Sequence, residues 1–339
     1  MSAAPPAASR RELLLHDLGP PSSALHDEVL QGLTGRPKSL PSKLLYDEVG
    51  SRLYDRICGL DAYYPSRTEL AILRRHIREI AAVLGPGVRL VEPGSGSGAK
   101  TRLLLRHLIE PAGYIPVDIA KSQLIDFAAS VSAAYPSLDV QPVCADYTTG
   151  LELPPTDRAH ARTVVFFPGS SIGNFEPHEA AAFLARCADL VGPEGGVLIG
   201  VDLKKERSRL ELAYNDPEGV TAAFNLNVLV RLNREFGTDF DPGAFQHHAP
   251  YDEAHGRIEM RLVSRRAQHV HVRGPGGRGR FTLSFDEGEA IVTERSYKYE
   301  IPEFEAIAER AGLGLGRVWT DPGRAFAVLW LVPRTASQR

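Results

Sequence analysis

Short apolar runs alternate with stretches of helical period through the middle of this chain. The runs at 89–92, 113–118, 139–145, 162–167 and 196–202 read as strands, and 100–108, 121–135 and 177–191 read as helices between them. Strands that alternate with helices of this length predict a parallel, doubly wound sheet. Upstream, 25–33 reads as a short amphipathic helix, followed by the turn-rich Gly35-Arg36-Pro37-Lys38-Ser39-Leu40-Pro41. An aromatic-dense region then holds Tyr46, Tyr54, Tyr63 and Tyr64. Pro65 breaks it, and Ser66 is placed to cap a helix that runs on to Leu84. From Lys204 the rhythm changes. A long helix is expected over 206–235, a loop over 237–250, and strands at 257–263, 268–272 and 280–285, the last two joined by Gly274-Pro275-Gly276-Gly277. This block reads as an insertion of helices and antiparallel strands. A helix at 302–311 and strands at 316–320 and 326–332 return to the first pattern.

Chemistry enters where the first strand ends, at Leu90-Val91-Glu92-Pro93-Gly94-Ser95-Gly96-Ser97-Gly98. Glycine lets a backbone turn sharply and lie against a ligand that a Cβ would exclude. Asp118 ends the next strand, where a carboxylate accepts hydrogen bonds from ribose hydroxyls. A dinucleotide fingerprint spaces its glycines as G-x-G-x-x-G; here the third glycine comes one residue early and an acid precedes the first. The form E-x-G-x-G-x-G resembles the first motif of class I S-adenosylmethionine-dependent methyltransferases. On that reading Glu92 favours the ammonium of the methionine tail, and Lys100 or backbone N–H groups favour its carboxylate. Taken alone, the same residues are equally a tight strand-to-helix turn.

Composition narrows the class. The chain has 339 residues, a formal net charge of −3 and 43% hydrophobic residues, which suggests neither disorder nor a nucleic-acid surface. No run reaches the length of a membrane span. Cys58, Cys144 and Cys187 are scattered and odd in number, as expected of reduced thiols in a cytoplasmic protein. Arg10-Arg11 is followed by a segment too short and charged for a signal core. His247-His248 and His269-x-His271 lack the partners of a metal motif, and no metal is expected. Gly169-Ser170-Ser171-Ile172-Gly173 has the spacing of a nucleophile elbow, but no triad histidine and acid accompany it.

Several segments together resemble the histidine Nα-methyltransferases of ergothioneine biosynthesis. They are Pro37-Lys38-Ser39-Leu40-Pro41, Tyr46-Asp47-Glu48-Val49-Gly50-Ser51, Tyr63-Tyr64-Pro65-Ser66-Arg67-Thr68-Glu69, Gly169-Ser170-Ser171-Ile172-Gly173-Asn174, Ala213-Tyr214-Asn215-Asp216, Gly219-Val220-Thr221-Ala222-Ala223-Phe224-Asn225, Arg257-Ile258-Glu259-Met260 and Thr293-Glu294-Arg295-Ser296-Tyr297-Lys298. The resemblance implies an α/β class I methyltransferase with a Rossmann-like sheet and an inserted α+β substrate-binding domain. It divides the chain into a disordered tail (1–14), a substrate-binding domain (15–67 and 204–297) and a cofactor domain (68–203 and 298–339). It implies S-adenosylmethionine as co-substrate and L-histidine as acceptor, methylated three times to hercynine by a monomer without nucleic-acid or membrane partners. Gly94, Lys100 and Asp118 would bind S-adenosylmethionine, Asp146 and Tyr147 its adenine, with Tyr46 and Tyr54 bordering the pocket. Tyr63, Asn174, Tyr214, Glu294 and Ser296 would bind the amino acid. Met260 belongs to the histidine-type pattern, and Asn174 and Tyr63 are the catalytic candidates. Pro93 departs from the aliphatic residue usual in the glycine loop.

Each of these residues also has a plainer reading. Asn174 suits a helix cap before Pro177, Tyr214 a buried helix face, and Glu294-x-Ser296 the solvent side of a strand. Tyr63 is either a donor to the substrate ring or pocket lining, and Tyr64 reads as packing. Glu294 and Ser296, two apart in a strand, point to one side. A carboxylate and a hydroxyl there match imidazole, a ring with one N–H and one acceptor nitrogen. Alternatives are an N-methyltransferase for another amino acid or an aromatic amine, a nicotinamide oxidoreductase, and a cofactor-binding sensor. The glycine spacing speaks against the oxidoreductase, and the substrate-type residues against the sensor.

Overall fold

Val88–Pro93, the strand that leads into the glycine loop, is buried along its whole length. A strand buried on both faces belongs inside a parallel sheet covered by helices. It pairs in parallel with Gly113–Asp118 on one side and Arg162–Phe167 on the other. The structure, a computed structural model, describes residues 13–19, 22–96, 98–273 and 280–334. The expected tail up to residue 12, Ser97 of the glycine loop and the Gly274–Gly277 connection lie outside the described residues.

From edge to edge the large sheet runs His16–Asp17, Val143–Cys144, Gly113–Asp118, Val88–Pro93, Arg162–Phe167, Gly196–Asp202, Phe326–Pro333 and Leu313–Thr320, with Asp139–Val140 also on Gly113–Asp118. All neighbours are parallel except the last two pairings. The chain leaves Val88–Pro93 toward one edge and returns on its other side. The glycine loop therefore sits where the strand order reverses, the place where open α/β sheets bind ligands. Side-chain alternation divides the core. Leu90, Tyr114 and Val164 face the helices Tyr64–Leu84, Ala99–Leu105 and Lys121–Ala134. Val91, Ile115 and Val165 face Pro177–Val191 and Ile301–Arg310.

A second sheet runs Tyr251–Asp252, Arg257–Ser264, Ala290–Tyr297 and Lys38–Ser39, with Phe245–His248 also on Arg257–Ser264. Residues of Glu48–Cys58, Arg207–Tyr214 and Val220–Phe236 share its core. Gln268–Arg273 and Arg280–Phe285 form a separate hairpin. The register between Arg257–Ser264 and Ala290–Tyr297 shifts at Met260/Arg261: Met260 faces Glu294 while Arg261 faces Val292. Thr293 is the extra residue of this bulge, and bulges re-aim the side chains beside them.

Several local expectations differ from the structure; the loop expected over 237–250 carries the strand Phe245–His248, which pairs with Arg257–Ser264. The single strand over 139–145 is two short pieces, because Pro142 brings no N–H to the ladder. The long helix over 206–235 is broken at Pro217 and Gly219, whose φ is 71°. The Asp216 carboxylate restarts it by accepting from the N–H groups of Val220 and Thr221 at 2.8 and 2.7 Å. The helix expected after Ser66 begins at Tyr64, with Pro65 in its first turn, where a missing N–H costs nothing. Glu48–Cys58, within the aromatic-dense region, is a helix capped by Asp47, which accepts from Gly50 N at 2.8 Å.

Gly98, φ 73°, ends the glycine loop, and a Cβ there would lie 2.0 Å from the Phe127 ring. Gly219 has a similar backbone, φ 71° and ψ 17°, with nothing within 4 Å of its Cβ position. Gly219→Ala is expected to cost about 1 kcal/mol, the left-handed strain alone. Gly98→Ala is expected to cost at least about 1 kcal/mol more, because the ring must also move. Urea unfolding of the two variants against the parent reads the difference.

Candidate active site

The carboxyl ends of the central strands and the second sheet enclose a cavity of about 1310 Å³. Gly94, Lys100, Asp118, Asp146 and Tyr147 line it. An inner chamber of about 40 Å³ adjoins it, lined by Tyr63, Tyr214, Met260 and Ser296 among others. Tyr46, Asn174 and Glu294 line both. All twelve residues singled out from the sequence therefore stand on one continuous pair of walls.

In the outer cavity, Gly94, Gly96 and Gly98 all have positive φ (70°, 48° and 73°), so the loop bares its backbone. A Cβ on Gly94 would close to 3.4 Å of the Tyr147 hydroxyl. Asp118 accepts from Ala120 N at 2.9 Å, and burial holds its carboxyl above the ordinary range. Asp146 accepts from Thr148 N and Oγ1 at 3.0 and 2.5 Å and from Lys43 Nζ at 2.8 Å. Burial would raise the Asp146 carboxyl, but Lys43 and Thr148 bring it below its usual value. Lys43 also reaches Glu28, so it straps the N-terminal segment across the cavity. Tyr147 packs edge-on against Phe167 and Phe183 at 5.8 and 6.2 Å. The set fits a nucleoside with an amino-acid tail: a strand-end carboxylate for hydroxyls, an aromatic wall for a base, and a glycine cradle that a Cβ would fill.

Two residues of this cavity are engaged differently from the sequence reading. Glu92 takes the Thr101 hydroxyl at 2.7 Å and the Tyr114 hydroxyl at 2.5 Å, and burial pushes its carboxyl up to about 8. It pins the start of Ala99–Leu105 to the strand rather than presenting a free anion. Lys100 forms an ion pair with buried Glu69, whose carboxylate also accepts from Gly169 N at 3.0 and 2.8 Å. That one glutamate ties the glycine-loop helix to the turn that carries Asn174.

The inner chamber gathers the polar residues expected to hold an amino acid. Asn174 sits in the 3₁₀ turn Ser171–Asn174, and its Nδ2 donates to Glu294 Oε2 at 3.4 Å. It is not the helix cap; Glu176 is, in a capping box with Glu179. Glu294 is 8% exposed, and burial pushes its carboxyl up to about 7 against the opposing pull of Lys298 and Tyr46. Met260 lies opposite it in register. The hydroxyls of Tyr214 and Ser296 share a hydrogen bond of 2.8 Å. The rings of Tyr46, Tyr54, Tyr63 and Tyr214 follow edge to face at 5.5, 6.3 and 6.0 Å, and burial keeps their hydroxyls protonated well beyond neutral pH.

Beneath the chamber lies a charge cluster that the sequence reading did not assign. Lys298 Nζ donates to Tyr214 and Ser296, both at 2.9 Å, and pairs with Asp202 at 2.8 Å. Tyr64, read from sequence as packing, donates to both Asp202 oxygens at 2.9 and 2.8 Å. Lys205 reaches Asp202 at 2.6 Å. The available signal was strand periodicity: Lys298 follows Ser296 by two, on the same side. Among the histidines weighed as ligands, His247 sits between Asn225 and the Tyr214 carbonyl at 2.9 and 2.8 Å, and His271 pairs with Asp239 at 2.9 Å. No helix among the described residues is long and apolar enough to cross a membrane.

Sequence comparison places the chain among known proteins. The family model for histidine-specific, S-adenosylmethionine-dependent methyltransferases matches residues 25–333. A histidine N-alpha-methyltransferase of Mycolicibacterium smegmatis is 42% identical over 311 residues, covering 91% of this chain and 94% of that protein. One from Mycobacterium tuberculosis is 42% identical over 309 residues, covering 90% and 94%. Ergothioneine biosynthesis protein 1 of Neurospora crassa is 34% identical over 292 residues, covering 84% of this chain and 32% of that longer protein. A family match over residues 25–333 and relatives 42% identical along almost their whole length show that the chain belongs to the histidine-specific, S-adenosylmethionine-dependent methyltransferase family.

Proposed function

We propose that this enzyme methylates the α-amine of L-histidine three times, giving hercynine as the first step toward ergothioneine. One observation carries the reading: Glu294 and the Tyr214–Ser296 hydroxyl pair line one chamber that adjoins the glycine-loop cavity. Asp118 would hold the ribose, Asp146 and Tyr147 the adenine, and Gly94 with Lys100 the amino-acid tail of S-adenosylmethionine. That co-substrate supplies an electrophilic methyl on a sulfonium. The second sheet and its helices, within 15–67 and 204–297, would form the substrate side, although His16–Asp17 edges the large sheet; 68–203 with 298–339 would form the cofactor side. A cytoplasmic monomer that needs no metal completes the proposal; free thiols at Cys58, Cys144 and Cys187 suit a reducing compartment.

The chain's own residues then position rather than activate. Glu294 accepts from the imidazole N–H, while Ser296 and Tyr214 meet the other ring nitrogen. Asn174 lines both spaces and would orient the amine between them. Tyr63 and Tyr46 close the wall, and their ring faces suit a nitrogen that becomes permanently cationic. The α-amine of a free amino acid is an ammonium at neutral pH and has no lone pair, so it must lose a proton to water before each transfer. Holding amine and methyl in line is worth up to roughly 7–11 kcal/mol.

Incubation with S-adenosylmethionine and the twenty amino acids, read by mass, is expected to show a gain of three methyls on histidine; activity confined to another amino acid overturns the assignment. Asn174→Ala is expected to lower kcat about 100-fold, through misplacement of the amine. Near-normal turnover would reject that role.

Glu294 also sets a pH dependence. Its unfolded carboxyl titrates near 4.5 and its folded one at about 7. Between these values the folded protein keeps a proton that the unfolded chain has lost, so stability falls as pH rises through the window. Glu294→Gln removes this cost. Thermal melts should show the variant more stable than the parent at pH 8, by on the order of 2–3 kcal/mol, with the gap closing by pH 4. Histidine affinity should fall in the same variant.

A further inference from the structure

Lys298 has no part in the roles assigned so far, yet it touches two of the groups that would meet the substrate ring. It is 2% exposed. An ammonium carries three N–H donors, and all three have partners: Asp202 Oδ2, the Tyr214 hydroxyl and the Ser296 hydroxyl, at 2.8, 2.9 and 2.9 Å. Asp202 has no exposed surface and is held by Tyr64 and Lys205 as well, so the ammonium has a fixed counter-charge.

Proton counting gives the consequence. Tyr214 and Ser296 own two hydroxyl hydrogens. Their mutual bond of 2.8 Å consumes one. Neither remaining hydrogen position can point back at Lys298, which only donates. One hydrogen is therefore left, available to a group in the chamber that both residues line. The oxygen that keeps it already accepts from Lys298 and from the other hydroxyl. Both of its lone pairs are occupied, and it can only donate. The other oxygen gives its hydrogen to the mutual bond, accepts from Lys298 and keeps one lone pair. Without the ammonium each oxygen regains a lone pair, and the pair's bias toward donating weakens.

We infer that Lys298 is a positioning residue that biases the Tyr214–Ser296 pair toward donating its one outgoing hydrogen to the unprotonated ring nitrogen of the substrate. Glu294, an acceptor, lines the same chamber from the same strand as Ser296. One donor and one acceptor match a neutral imidazole. A ring without nitrogen leaves both unanswered, which costs the full desolvation of each group. This inference deepens the proposed histidine reading and rests on it.

The test measures discrimination rather than activity alone. The full-length parent and Lys298→Met are compared for the KM of L-histidine, and for the Ki of L-β-(2-thienyl)alanine, an amino acid whose five-membered aromatic ring has no nitrogen. Lys298→Met is expected to raise the KM for histidine about tenfold, the loss of one directed hydrogen bond, with a smaller change in kcat. The thienylalanine Ki should stay within about twofold, because that ring never used the donor. S-adenosylhomocysteine affinity, measured by calorimetry, should not move. Should Lys298→Met leave Asp202 uncompensated and the chain unfolded, the paired Asp202→Asn/Lys298→Met variant removes both charges, and the same selective loss is expected of it. Parallel weakening of histidine and thienylalanine, or unchanged KM for histidine, overturns the inference while the parent's histidine turnover leaves the proposed function standing. A parent that leaves histidine unmethylated overturns both.

Discussion

One fully buried carboxylate holds the two halves of this molecule together. Asp202 ends the strand Gly196–Asp202 of the large sheet. It binds Tyr64 at the start of the first long helix, and Lys205 and Lys298 beyond it. Its N–H receives no strand partner; the Ser170 hydroxyl accepts from it at 2.9 Å. Removing such charges from water costs several kcal/mol per ion, and only complete partnering offsets it. Burial alone would raise the Asp202 carboxyl, but Lys298 and Lys205 hold it below its ordinary range. Lys298 directly follows the strand Ala290–Tyr297 of the second sheet. The weld between the sheets is therefore also the floor of the inner chamber, and the chamber's shape depends on an ion cluster that no substrate touches.

A second carboxylate plays a parallel part between the cavity and the chamber. Glu69 is 1% exposed and takes Lys100 on one side and the Gly169 N–H on the other. Lys100 belongs to the glycine-loop helix, and Gly169 opens the turn that ends in Asn174. The cofactor loop and the substrate turn thus share one buried anchor. Geometry between two ligands that must meet in line tolerates little play, and a common anchor reduces the number of elements that can shift independently.

The parts of this arrangement legible in the sequence are those where one physical rule dominates. Strands at 113–118, 162–167 and 196–202 coincide with the structure because fully buried parallel strands leave a continuous apolar run. Glu294 and Ser296 share a side because strand alternation survives past the bulge at Thr293. Glu92 lies two residues after Leu90, on the face covered by Ala99–Leu105, and alternation brings it Thr101 and Tyr114 as partners at the cavity wall, which the glycine spacing alone does not announce. The break in the long helix was also written in Asn215-Asp216-Pro217-Glu218-Gly219, where a proline, a glycine and a capping acid outweigh helical periodicity. Lys298 was not legible as a buried group. Lysine is almost never fully buried unless paired, and its partner Asp202 is joined to it only by the fold.

The chamber's charges explain why its selectivity does not require a strongly anionic site. Lys298 and Asp202 neutralise each other, with Lys205 facing Tyr64 and Asp202 from beneath. Glu294 is different. Among the described residues no lysine, arginine or histidine lies within ion-pair distance of it, and its hydrogen bond from Asn174 is long at 3.4 Å. Burial pushes its carboxyl up to about 7, against the weaker pull of the more distant Lys298 and of the Tyr46 hydroxyl. A guest that brings an N–H to this oxygen relieves a desolvation cost already present in the folded protein, and a guest without one leaves it in place. Discrimination then comes less from attraction in the complex than from an unmet need in the free enzyme. The same logic accounts for the tyrosine wall: its hydroxyls stay neutral, so they add directional contacts to the chamber without adding a charge that would compete with Glu294 for the ring.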